Sequence, residues 1–578
     1  MNEQQVLSRV ILRDPDQSCW FEYIDPVDVI YTDQVEEVIP LLTKLERLVA
    51  DREYFAAGFL SYEAASAFDA QLVTHTPAQL PLLCFGLFDK RARLDALPKQ
   101  PEIPHGDWQL DSDIDAYKAH ISTLRAHIEA GDIYQVNFTS RLALNSDLNI
   151  GTFGRIAEQA TYGAFLDGRN FSILSASPEL FFQRNDKHII CKPMKGTANR
   201  GLSHLDDLQQ ADWLRSSTKN QAENLMITDM VRNDLSRIAE ANSVKASQLF
   251  HVERHPTVWQ MTSTVSAQTS ATIPEIFSAL FPGASITGAP KHASMRFIND
   301  LESTPREIYT GAIGLIAPGK QSLFNIAIRT AWTDKRSCTS HYGAGGGIVW
   351  DSDAEDEYSE LQSKTQILRK KDPEFNLLET MRWTPNEGIY LKDTHLKRLS
   401  NSAEYFAFQI DIPLLEAQLI EATEHLPRLT HRIRVKLSKE GKFKLDCEPL
   451  LNKDLPQDVA LARAPVSAHN VLLYHKTTKR EIYDSAAASV PVGTEALLHN
   501  SSGFVTESAI ANIVFEWHGE LFTPPVSDGL LPGILRETLL ANEKIGVRSL
   551  PVEDLKNVDA LFLINALRGW RQAKLVPQ

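Results

Sequence analysis

The stretch CKPMKGTANRG at 191–201 sets two lysines, Lys192 and Lys195, around a Pro-Met pair just before a Gly-Thr turn. An ordinary surface loop would leave both ammonium groups in water. A lysine amine that faces a pocket is instead a nucleophile, provided its surroundings lower its pKa. Carboxylates gather in two other stretches. Glu223 lies in KNQAENLMITDMVRNDLSRIAE (219–240), and Glu357 and Glu360 stand at i,i+3 in SDAEDEYSELQSKTQILRK (352–370), with Lys364 one turn beyond. On a solvated helix face this spacing gives Glu–Lys pairs. It equally suits magnesium, which takes one or two protein carboxylates together with substrate oxygens and water.

Between the acidic stretches lies SHYGAGGGIVWDSD (340–353). No helix opens after its glycines and a strand-like IVW follows, so the dinucleotide-binding interpretation is rejected. Backbone N–H groups of such a loop can still hold a carboxylate. Arg329, in NIAIRTAWT, has the planar fork to clamp another.

The elements that must position these groups alternate. The first part mixes alternating segments such as DIYQVNFTSRLAL (132–144) with amphipathic helices. The 219–240 helix is expected to set Ala222, Leu225, Met226, Met230 and Ile238 on an apolar face, and the 352–370 helix to bury Tyr358, Leu361 and Leu368. The second part is shorter, with a hairpin-like run at 496–525 turning at Ser502-Gly503 and His518-Gly519. DALPKQPEIPHGDW (95–108) suggests a linker or long loop, and LRKKDPEFN (368–376) the main domain boundary. The chain is therefore expected to be α+β, in domains 1–370 and 371–578.

Its 578 residues are too many for one core. Lys and Arg total 59 against 74 acids, a net charge of −15, which disfavours nucleic acid and anionic membrane as partners. Five scattered cysteines without C-x-x-C spacing argue against a zinc knuckle or a disulfide framework and suit a reducing cytoplasm. No stretch approaches about 18 apolar residues, so no membrane span is expected.

Seven ordered blocks then carry a resemblance: IEAGDIYQVNFTSRL (128–142), SASPELFF (175–182), KPMKGTANRG (192–201), AENLMITDMVRNDLSR (222–237), FPGASITGAPK (281–291), IYTGAIG (308–314) and AGGGIVWDSDAEDEYSE (344–360). Residues 110–368 resemble the chorismate-utilising enzymes, the family of anthranilate synthase and aminodeoxychorismate synthase component I. The resemblance implies antiparallel sheets with surrounding helices. The anthranilate branch carries alanine where Lys195 stands, so Lys195 points to the aminodeoxychorismate branch. It implies that Lys195 attacks C2 of chorismate as the C4 hydroxyl leaves, and that ammonia then enters at C4 and expels the lysine. Glu179 would transfer or position a proton. Glu223 and Glu360 would hold magnesium, with Glu357 on the metal or its water. Tyr309, Arg329, Gly345, Gly346 and Gly347 would hold a substrate carboxylate, and Thr287 would lie close to substrate. Gln260 stands where many relatives carry histidine; it can hydrogen-bond the leaving hydroxyl but not protonate it.

NLLETMR (376–382), HLKRLSNSAEYF (395–406), YHKTTKREIYD (474–484), FVTESAIANIVF (504–515) and LLPGILRETLL (530–540) resemble the fold-type IV pyridoxal-phosphate enzymes. These include branched-chain and D-amino-acid aminotransferases and aminodeoxychorismate lyase. The resemblance implies Lys476 as the cofactor-linked lysine, Glu507 at the pyridine nitrogen, and Arg398 with the Gly533-Ile534-Leu535 turn at the phosphate. Aminotransferases usually carry threonine where Leu535 stands, which favours the lyase branch. Thr380 and Arg382 would line the substrate side.

Together the resemblances imply a folate-pathway enzyme converting chorismate and ammonia to 4-amino-4-deoxychorismate and then, with loss of pyruvate, to 4-aminobenzoate. The alternatives are an anthranilate-type synthase fused to an aminotransferase, and a synthase with a non-catalytic C-terminal scaffold. None of the cysteines has the small flanking residues of a glutaminase elbow, so ammonia would come from a separate glutamine amidotransferase subunit. A homodimer through the cofactor domain is expected.

Overall fold

A computed structural model describes residues 6–98, 101, 107–111, 113–157, 160–365, 375–451 and 457–576. Leu368, most of the 368–376 boundary and half of the 95–108 stretch lie outside them. The chain divides into two compact units, residues 1–199 with 212–372, and 200–211 with 373–578.

The first unit holds two ten-stranded antiparallel sheets among the described residues. Alternation dictates how they pack. Val10, Leu12, Ile173 and Trp332 from one sheet meet Ala57, Phe59, Phe88 and Ile313 from the other in a single apolar cluster. Burying such side chains stabilises by roughly 1.5–3 kcal/mol each. The glycine-rich segment is not a loop, contrary to the sequence-based expectation. It is the strand Thr339–Ile348, with Gly345, Gly346 and Gly347 paired to Thr139, Phe138 and Asn137 of the strand Gln135–Leu144. The segment IVW ends this strand instead of starting a new one.

The acidic helices form at Thr218–Ser236 and Ala354–Thr365. In the second, Leu361 is 2% exposed and Tyr358 packs on Tyr117 with ring centroids 5.5 Å apart. The first presents a different face from the expected one. Its buried residues are Asn224, Ile227, Thr228 and Leu235, while Leu225 is 43% exposed and Ala222 is also exposed. The helix lies against the strands Met194–Asn199 and Val258–Gln268, where polar side chains can satisfy strand carbonyls.

The second unit pairs a four-stranded antiparallel sheet with a nine-stranded mixed one among the described residues. The expected 496–525 run forms strands Glu495–His499, Phe504–Ser508, Asn512–Trp517 and Glu520–Thr523, with the two turns at the expected positions. Both units are α+β.

Candidate active sites

The Gly-Thr turn expected after Lys195 is a bulge inside a strand. Met194 pairs with Thr262 and Thr197 with Gln260, and the register slips between them, at Lys195-Gly196. Gly196 has φ +98, open to glycine without strain. A bulge re-aims a side chain, and here the re-aimed one is Lys195. Three groups fix the bulge. Asn224 Nδ2 donates to the Lys195 carbonyl (3.1 Å) and the Met261 carbonyl (3.3 Å). Ser263 Oγ donates to Asn224 Oδ1 (2.5 Å). Gln260 Nε2 donates to the Gly196 carbonyl (2.8 Å), and Thr197 Oγ1 donates to Gln260 Oε1 (3.1 Å). Both ends of the Gln260 amide are therefore engaged by the bulge, behind the lysine.

The glycine strand is the surface on which the site assembles. A Cβ at Gly343 would lie 2.3 Å from the Tyr309 ring, one at Gly346 2.8 Å from Glu357 Oε2, and one at Gly347 2.4 Å from Lys195 Nζ. The glycines thus let side chains approach the strand, a different role from the expected anion-binding loop. Lys195 Nζ lies 3.6 Å from Glu223 Oε2. Ser352 Oγ donates to Glu357 Oε1 (2.7 Å), and burial raises the Glu357 pKa. Glu360 pairs with Lys364 at 2.8 Å and is half-exposed.

Glu179, 3% exposed, accepts from Ser285 Oγ at 2.7 Å. Burial pushes its pKa up to about 7, against the opposing Ser285 bond and Lys195 charge. Tyr309 is buried against Gly343, and burial pushes its hydroxyl up to about 12. Arg329 has φ +50, and burial lowers its pKa; among the described residues no carboxylate pairs with its guanidinium. A half-buried guanidinium without a carboxylate partner is free to clamp an anion. Thr287 is fully buried, its hydroxyl donating to the Gly283 carbonyl at 2.9 Å. Asn224 and Ser285 escaped the sequence analysis because each works through a main-chain or carboxyl contact that no spacing reveals.

Gly347→Ala tests the arrangement. The obstructed atom is the end of a flexible side chain, so the fold should tolerate the methyl and the melting temperature should stay near wild type. The Lys195 amine must move by about 1 Å, a displacement that costs roughly 10²-fold in turnover. Steady-state turnover beside a melting curve checks it.

In the second unit, Lys476 follows the buried His475 and is pinned by its carbonyl, which accepts from Leu378 N–H at 2.9 Å. Burial and the Arg398 charge lower its pKa to about 8. Lys476, Thr380, Arg398, Glu507 and Ile534 line one cavity of about 300 Å³. Leu535 packs instead into an apolar cluster with Val514 and Ile564, and Arg382 stacks on Tyr390 at 4.5 Å.

Buried Glu507 accepts from Tyr483 Oη (2.8 Å) and Asn512 Nδ2 (3.2 Å), and burial raises its pKa to about 8. Arg398 donates through Nε and Nη2 to Glu379, both at 2.8 Å, and His395 Nδ1 is 2.7 Å from the same carboxylate. Burial opposes the Glu379 charge, but Arg398 and His395 hold its pKa down at about 2. Arg432 and Arg434 also line the cavity, and Arg434 lies opposite Thr380. These two arginines, Glu379 and Tyr483 were missed by sequence reasoning.

Residues 93–370 match the model of the chorismate binding enzyme family. Aminodeoxychorismate synthase component 1 of Escherichia coli is 38% identical over 315 residues, 52% of this chain and 68% of that protein. The chain belongs to the chorismate-binding enzyme family. Its residues 376–576 match the class IV amino-transferase model. Aminodeoxychorismate synthase component 1 of Salmonella typhimurium is 38% identical over 266 residues, 45% of this chain and 58% of that protein. The family's fold recurs in anthranilate synthase component I of Streptococcus pneumoniae, with TM-score 0.54 and 21% identity over 64% of this chain and 95% of that one.

Proposed function

We propose that the chain converts chorismate and ammonia to 4-amino-4-deoxychorismate in its first unit and that product to 4-aminobenzoate and pyruvate in its second. The observation that carries this reading is the Lys195 amine, turned by a bulge onto the bare face of Gly347 and 3.6 Å from Glu223. Deprotonated, it attacks C2 of chorismate while the C4 hydroxyl departs. Glu179, with a pKa of about 7, is able to exchange a proton near neutrality. Arg329 and Tyr309 hold a substrate carboxylate. Ammonia adds at C4 and the Lys195–C2 bond breaks, returning the lysine.

Among the described residues no three His, Cys, Asp or Glu side chains form a ready-made metal cage. Glu223 and Glu357, both within the field of Lys195, suit magnesium that arrives with substrate oxygens. Glu360 would have to exchange Lys364 for the metal.

The second cavity fits pyridoxal phosphate by the chemistry of its donors: a half-buried lysine of lowered pKa, a buried acid and an oriented arginine. When bound, the cofactor supplies an electron sink for C4 proton removal and pyruvate loss. Lys476 would carry the cofactor and move the proton, Glu507 would stand at the ring nitrogen, and Arg398 with the Ile534 and Leu535 backbone would hold the phosphate. Thr380, Arg432 and Arg434 meet the substrate. Incubating the pure chain with chorismate, magnesium and ammonium chloride, with and without pyridoxal phosphate, tests the whole sequence. Formation of 4-aminobenzoate only with the cofactor supports it; anthranilate as product overturns it.

Nitrogen should come from free ammonia, with a separate glutaminase needed for glutamine use. Cys19, Cys84 and Cys191 are buried, and burial pushes the Cys84 thiol well up and Cys191 to about 12. Such thiols are poor nucleophiles. Turnover with ammonium should rise toward alkaline pH as more NH₃ forms, and glutamine alone should give no product. Efficient glutamine-dependent turnover by the ammonia-free chain refutes this.

A further inference from the structure

The strand Gln135–Leu144 carries apolar residues on one face, with Val136, Phe138, Leu142 and Leu144 inside an apolar cluster. The alternate face presents Gln135, Asn137, Thr139 and Arg141. Gln135 is 0% exposed, yet neither Oε1 nor Nε2 meets a hydrogen-bonding partner among the described residues. Buried amides with both ends unbonded are rare and costly. The backbone holds the residue in place: its carbonyl accepts from Ser294 Oγ at 2.9 Å, and it pairs with Ala289.

The position of the amide is informative. A Cβ at Gly347 would lie 3.1 Å from Gln135 Nε2 and 2.4 Å from Lys195 Nζ, so amide and amine flank the same bare stretch of strand. Asn137, one step along the same face and opposite Gly347, is also buried with an unbonded Nδ2. Two such groups beside a nucleophile describe a surface built to meet a ligand.

We propose that Gln135 is a substrate-contacting residue of the amination site, its amide hydrogen-bonding an oxygen substituent that flanks the ring carbon attacked by Lys195. On chorismate these are the ring carboxylate and the enol-ether oxygen. The proposal rests on the amination reading above. The contact orients C2 toward Lys195 and discriminates against rings lacking the oxygen.

The test compares wild type with Gln135→Leu and Gln135→Asn, following amination with ammonium and melting with and without chorismate. Leucine fills the space without an unbonded amide, so its melting temperature should equal or exceed wild type. Its kcat/KM for chorismate should fall roughly 10- to 100-fold, the loss of one buried hydrogen bond to substrate. The rise in melting temperature caused by chorismate should shrink with it. Asparagine withdraws the amide by one methylene and should lower kcat/KM in the same way; it decides the matter if the leucine variant fails to fold. Turnover within about threefold of wild type in a folded variant overturns the role of Gln135 alone. A wild-type chain that makes no amination product removes the reading and the role together.

Discussion

Lys195→Ala should abolish amination of chorismate while leaving both units folded. The amine is the group assigned to form and release the bond to C2, so turnover should fall by about 10³-fold or more, some 4 kcal/mol of barrier. The fold should not suffer, because the Lys195 side chain contributes one ion pair at 3.6 Å, with Glu223. The bulge is held by its main chain, through Asn224 and Gln260, and alanine keeps that main chain. Lys195→Arg separates charge from nucleophilicity. It retains a cation near Glu223 but cannot act as a neutral amine, so it should be as inactive as alanine. Near-wild-type amination by either variant, measured by product mass against time, would falsify covalent attack by this lysine. The second unit should still convert added 4-amino-4-deoxychorismate in both.

Lys476→Ala should stop the chain at 4-amino-4-deoxychorismate. Removing the amine withdraws both the attachment point for pyridoxal phosphate and the base for the C4 proton; proton transfer alone is worth about 10²–10⁴-fold. Its pKa of about 8, set by burial and the neighbouring Arg398, gives it a useful neutral fraction at physiological pH. The expected result is accumulation of the amination product with no 4-aminobenzoate. Borohydride reduction of the wild type should then place the pyridoxyl group on the peptide containing Lys476. Mapping of that group to another lysine overturns the assignment. Amination kinetics should be unchanged, which distinguishes the loss of one activity from general unfolding.

Much of this molecule is legible in its sequence because residue types are tied to chemistry. An amine is needed where a covalent bond forms, acids where a metal or ring nitrogen sits, and an arginine where a carboxylate binds. Residue type alone marks Lys195, Glu223 and Arg329 as candidates, whereas Lys476 and Glu507 are implied only by the resemblance of the ordered blocks around them to a known family. Helix and strand types followed from periodicity, and the 352–370 helix buries Leu361 as expected. The failures share a cause. The residues of the 219–240 helix by themselves suggest an apolar face, but its buried face carries Asn224, whose amide satisfies carbonyls of the neighbouring strands, and Thr228, whose hydroxyl bonds back to the Asn224 carbonyl.

What the sequence by itself determined is the inventory of reactive groups, their order, and the α+β class of the fold. Only the tertiary structure decided what those groups face. Gly343, Gly345, Gly346 and Gly347 are consistent with a loop until strand pairing with Arg141, Thr139, Phe138 and Asn137 fixes them in a sheet. Their lack of side chains then matters because Tyr309, Glu357 and Lys195 arrive from other parts of the chain. The two amide ends of Gln260 are engaged and those of Gln135 are not, although both are glutamines on strands. Hydrogen bonding is short-ranged and directional, so such distinctions depend on contacts between residues far apart in sequence, which only folding brings within about 3 Å.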